Sequence, residues 1–107
     1  MPYDEDLDGR IGRLVLKWKA VRKKMFGGTC YLLRSNLFCG VHWDLLILRL
    51  GDEAAARALK KPFVSEFDIT GRPMKGWVMV EKGGFEGGRL SSWLETARSF
   101  VQTLPAK

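Results

Sequence analysis

The chain has 107 residues, enough for one domain, and 46% of them are hydrophobic, enough for one core in a two-layer design. No apolar run approaches the roughly 20 residues needed to cross a bilayer, and the acidic start Met1-Pro2-Tyr3-Asp4-Glu5-Asp6 lacks a leader-like apolar stretch, so a cytoplasmic protein with Cys30 and Cys39 as thiols is expected. A formal net charge of +6 favours anionic partners without choosing one.

Residues 4 to about 21 are predicted to form an amphipathic helix, with Leu7, Ile11, Leu14, Val15 and Trp18 on one stripe. Asp4, Glu5 and Asp6 suit its first turn. The basic run Lys17-Trp18-Lys19-Ala20-Val21-Arg22-Lys23-Lys24 suits its solvated last turn. Gly9 and Gly12 weaken the helix by about 1 kcal/mol each relative to Ala.

Three short strands are expected within residues 25–50. Gly27-Gly28 marks a bulge or a close backbone approach. Arg34-Ser35-Asn36 turns between Tyr31-Leu32-Leu33 and Leu37-Phe38-Cys39, and Asp44 marks a second turn. Leu45-Leu46-Ile47-Leu48-Arg49-Leu50 is apolar at almost every position, so it belongs at the centre of the sheet or under cover on both faces.

Gly51-Asp52 caps a short helix over 53–60, which Pro62 ends. Phe63–Phe67 and Trp77–Glu81 are a fourth and a fifth strand. Gly83-Gly84 and Gly87-Gly88 bracket a connection. Leu90, Trp93, Leu94, Ala97, Phe100, Val101 and Leu104 place a final helix over about 89–104, closed by Pro105.

The expected fold is α+β: a two-layer sandwich with an about five-stranded, mostly antiparallel sheet and helices on one face, in the order α-β-β-β-α-β-β-α. Side chains alternate across a sheet. The face without helices is therefore expected to expose Phe38, Leu45 and Ile47, with Trp77 or Met79, and an apolar face of that kind marks a partner surface. These residues are the candidate interface.

Chemistry is harder to place. His42 is the sole histidine, and Cys30 and Cys39 lack the paired spacing of a zinc site, so no metal or cofactor is expected. Cys39 and His42, three apart on a strand, point to opposite faces and do not make a dyad. Cys30 and Cys39 would oppose one another across an Arg34-Ser35 turn, and a one-residue change of register would put them on opposite faces. Glu66 and Asp68 share a face, but a solvated polar edge explains them better than a carboxylate pair. Ser91 and Ser92 fit the first turn of the final helix.

Gly71-Arg72-Pro73-Met74-Lys75-Gly76 is a tight cationic loop, from which Arg72 and Lys75 could clamp a phosphate or carboxylate beside Trp77. It does not match the phosphate-loop pattern, and a stiff turn with solvated cations is the favoured reading. Together with Lys23 and Lys24, these residues are the candidate anion or partner contacts.

The chain resembles the N-terminal domain of the TfoX/Sxy competence regulators and the short stand-alone proteins similar to it. The resemblance is carried by Tyr3-Asp4-Glu5, Lys24-Met25-Phe26-Gly27-Gly28, Asn36-Leu37-Phe38 and Leu48-Arg49. It continues through Phe67, Gly71-Arg72-Pro73-Met74-Lys75-Gly76-Trp77-Val78, Trp93 and Leu104-Pro105. It implies a small two-layer domain without established catalytic residues. In two-domain members it implies regulation of competence genes alongside the cyclic-AMP receptor protein. The C-terminal helical domain of those members is not expected within 107 residues.

The reading is thus a single domain over 1–107, a non-enzymatic module acting through protein contacts, with the transcription machinery or a second copy as partner. Direct nucleic-acid binding through Lys17–Lys24 and the Arg72–Lys75 loop is the first alternative, and a small-anion or enzymatic site at that loop is the second. No membrane contact is expected.

Overall fold

The computed structural model describes residues 4–25, 28–68 and 74–105. Helix α1 (Glu5–Val15) starts where Asp4 caps it: Asp4 Oδ1 accepts from the Leu7 N–H at 3.0 Å. The Asp4 N–H donates to the Trp43 carbonyl at 2.9 Å, fastening the helix start to a hairpin turn.

The helix stops well before residue 21. Leu16–Trp18 tighten into a single 3-10 turn and Lys19 turns left-handed at φ 59°. Val21–Met25 then forms strand β1. The second half of the basic run expected at a helix end, residues 21–24, is instead in the edge strand of the sheet. Pairing with β2 (Gly28–Leu33), from Val21 opposite Leu32 to Met25 opposite Gly28, supplies the backbone partners that helical propagation would have given. Trp18, partly buried, still packs against the core, edge-on to Phe38 with ring centroids 6.4 Å apart.

Strand β2 turns through Arg34 and Ser35 into β3 (Asn36–His42). Both turn residues are left-handed, at φ 51° and 67°, as a two-residue hairpin with native twist requires. The register then slips between Tyr31 and Leu32: Leu32 faces Leu37, but Tyr31 faces Cys39. The extra residue is Phe38. This bulge lets both Phe38 and Cys39 enter the core, and it moves Cys30 opposite Gly40, so the two cysteines lie on opposite faces.

Strand β4 (Leu45–Arg49), helix α2 (Asp52–Ala58), strand β5 (Val64–Glu66) and strand β6 (Trp77–Val80) follow. A short turn of helix α3 (Lys82–Phe85) fills the glycine-bracketed connection and plugs the core with Phe85. Helix α4 (Arg89–Val101) closes the chain. Among the described residues the sheet has six strands rather than five, in the order β1-β2-β3-β4-β6-β5, and all neighbours are antiparallel. The added strand is β1, taken from the expected helix. β4 lies centrally, as its unbroken apolar run requires.

All four helices send side chains into one core. On the sheet side it is built from rows such as Val41–Leu46–Val80 and Cys39–Leu48–Val78. Asn36, buried at the hairpin, donates from Nδ2 to the Pro105 carbonyl at 3.0 Å and ties the end of the described chain to the sheet. No helix among the described residues is long and apolar enough to cross a membrane.

Candidate interaction surface

Residues that alternate with the core rows form the other face of the sheet. Its central row runs Lys23–Cys30–Gly40–Ile47–Met79–Ser65 across all six strands. Flanking rows carry Leu32 opposite Leu37, Leu45 opposite His42, and Trp77 opposite Arg49. Leu37, Leu45, Met79 and Trp77 are half-buried, while Val21, opposite Leu32, is exposed. Ile47, at 7% exposure, is sheltered at the centre although no helix covers it.

The strands are drawn together at Gly40, where a Cβ would stand 2.4 Å from the Thr29 carbonyl oxygen. Only glycine allows that approach. The middle of the face, at Cys30, Gly40 and Ile47, is buried, while residues of the flanking rows stay partly open.

Its charges have one sign. Lys23 and Arg49 lie on its rows, and no carboxylate among the described strand residues does. The Arg49 guanidinium sits 5.7 Å from the centroids of both Trp77 and Phe100, so it clasps the sheet rim to α4 by cation–π contact. Phe67 tilts against Trp77 with centroids 5.4 Å apart, extending the apolar surface past the strands.

Of the expected interface, Leu45, Ile47 and Met79 lie on this face, but only Leu45 and Met79 keep part of their surface open; Ile47, expected to be exposed, is buried between Gly40 and Met79 in the central row. Phe38 does not: it is 0% exposed, because the bulge turns it inward to pack on Trp18. Trp77 is on the face. Lys75 is exposed, and its Nζ leans towards the Asp52 carboxylate at 3.5 Å. Arg72 lies outside the described residues. Lys23 and Lys24 are exposed on the edge strand β1, where charge also discourages unwanted strand pairing.

One polar cluster escaped the sequence reading. Asp8, buried beside the apolar stripe of α1, accepts from the Arg22 guanidinium at 2.5 Å and from the Tyr31 hydroxyl, with Thr29 Oγ1 3.5 Å away. Tyr31 is pushed well above its ordinary range by burial and by the neighbouring carboxylate, and the hydrogen bond to Asp8 holds Arg22 still more firmly protonated. Asp8 stands three and seven residues before Ile11 and Val15, so its place on the buried side is legible. Its partner is not, because a basic run around Arg22 reads as the end of a helix. This arrangement reads as a clamp between α1 and the edge strand.

Cys39 lies in the core with its thiol pushed well up by burial, and His42 points to the opposite face. Among the described residues, no group of three His, Cys, Asp or Glu side chains is placed to hold a metal ion. Comparison with known proteins adds no relative: no family model, no curated protein and no solved structure matches the chain.

Proposed function

We propose that this chain is a non-catalytic interaction module that docks another protein on the helix-free face of its sheet. The observation that carries the reading is the apolar surface of Leu37, Leu45, Ile47, Met79 and Trp77, whose described strand residues carry only Lys23 and Arg49 as charges. The strand rows of a second copy would offer those cations no carboxylate. The fitting occupant is a protein segment that pairs apolar side chains with carboxylates. The resemblance to the TfoX/Sxy N-terminal domain points to a component of the transcription machinery as the source of that segment.

Direct nucleic-acid binding through the basic run is the weaker reading. Arg22 is engaged by Asp8, and Lys17 Nζ rests 5.5 Å from the Trp18 ring centroid.

The test is capture from cell extract followed by rebinding of the identified protein in purified form. Leu45→Glu with Met79→Glu is expected to abolish rebinding while circular dichroism stays unchanged, and raised salt is expected to weaken it. A double variant that binds as tightly as the parent, or light scattering that shows a dimer closed through this face, would overturn the proposal.

A further inference from the structure

On the helical side of the molecule, α2 and α4 leave a groove of about 650 Å³ between them. That is the size of a small-molecule site. Its floor is apolar, built from Leu50, Ala54, Ala58 and Trp93. The two alanines on α2 keep one wall thin, which is why there is room. Trp93 is fixed by its own hydrogen bond, from Nε1 to the Gly84 carbonyl at 2.8 Å.

Both walls end in cations. Arg57 and Lys61 come from α2 and the turn after it, and Arg89 comes from the start of α4. Arg57 is paired with Glu53 at 2.9 Å. Among the described residues no carboxylate pairs with Lys61 or Arg89. Lys61 Nζ instead hovers 5.2 Å from the Trp93 ring centroid, and Arg89 donates to the Gly83 carbonyl at 3.2 Å. The hydroxyl-bearing residues Ser92 and Thr96 line the same space.

We infer that this groove is a binding site for a small organic phosphate with a flat apolar body. The body lies against Trp93, Ala54 and Ala58. The phosphate is held by Lys61 and the Arg89 fork, with Arg57 beside them. Neither half suffices: two exposed cations bind free phosphate weakly, and an open apolar floor binds a neutral ring weakly.

The experiment is an amide NMR titration of the full chain with 1-naphthyl phosphate, 1-naphthol and inorganic phosphate as separate probes. The expected result is saturable shifts at Ala54, Lys61, Ser92 and Trp93 with naphthyl phosphate, and affinity at least tenfold weaker for each of the other two probes. Lys61→Glu with Arg89→Glu, both exposed, is expected to weaken naphthyl phosphate at least tenfold with an otherwise unchanged spectrum. Ala54→Phe is expected to do the same by filling the floor. Shifts confined to β1, equal affinity for naphthol and naphthyl phosphate, or unchanged binding by the charge-reversed variant would overturn the inference.

Discussion

Asp8 of α1 and Arg22 of β1 meet at 2.5 Å, a nearly buried carboxylate against a half-exposed guanidinium. The pair joins the first helix to a strand that has a neighbour on only one side. Breaking it from the two ends has different costs. Arg22→Met strands a buried negative charge and is expected to cost about 2–3 kcal/mol. Asp8→Asn keeps an acceptor for Tyr31 and leaves the guanidinium to water, and is expected to cost about 1–2 kcal/mol. Urea unfolding of the two variants measures both, and the reverse order would contradict the clamp.

Alkali should loosen the fold. Burial raises the thiols of Cys39 and Cys30 and the hydroxyl of Tyr31, in Cys30 against the opposing pull of Lys23. The folded chain therefore keeps protons that the unfolded chain releases above about pH 8.5 for cysteine and about pH 10 for tyrosine. Stability is fully present below pH 8 and declines above it, by up to about 1.4 kcal/mol per pH unit for each group once that group ionises in the unfolded chain. Denaturant melts at pH 7, 8.5 and 10 are expected to show the decline, and Cys39→Ala to flatten it. A pH-independent midpoint would refute the assignment.

Because the bulge sets Cys30 opposite Gly40 and turns Cys39 inward, diamide should not join them in the native protein. Thiol titration after oxidation and quenching is expected to return two thiols from the folded chain. In urea the same treatment should close the bridge. A native disulfide would mean that the register is not the one described.

Two glycines should respond oppositely to alanine. At Gly28 a Cβ would stand 1.9 Å from the Val41 carbonyl oxygen, a backbone atom that can move only by parting β2 from β3. Gly28→Ala is expected to cost about 3 kcal/mol or more. At Gly9 the nearest atom is the end of the Arg13 side chain, at 3.5 Å. Gly9→Ala is expected to gain about 1 kcal/mol of helix propensity. Thermal melts of the two variants decide it.

Much of the fold was legible because periodicity speaks for long elements. The α4 stripe, the unbroken run of β4 and the Arg34-Ser35 turn all lie where the sequence places them. What was not legible depended on contacts remote in sequence. The run from Val21 to Met25 has a cationic middle that reads equally well as a helix end, and only pairing with β2 decides for strand. Phe38 alternates correctly from Leu37, so nothing local announces that a bulge will turn it inward. Leu45, Ile47 and Met79 keep the face that alternation gives them because they lie beyond the slip, although alternation does not show that Ile47 is buried there. The α2–α4 groove needed two helices to be set side by side, and no single stretch of sequence records that.

The tryptophans are distributed so that light can tell these regions apart. Trp77 stands at the rim of the sheet surface under Arg49, Trp93 lies in the interhelical groove under Lys61, and Trp18 is pressed against Phe38 with Arg98 4.8 Å from its ring centroid. Each of these indoles has a different cationic neighbour. With the other indoles replaced by phenylalanine, one emission spectrum becomes an address: a change at Trp77 reports an event on the sheet face, and a change at Trp93 reports one between α2 and α4.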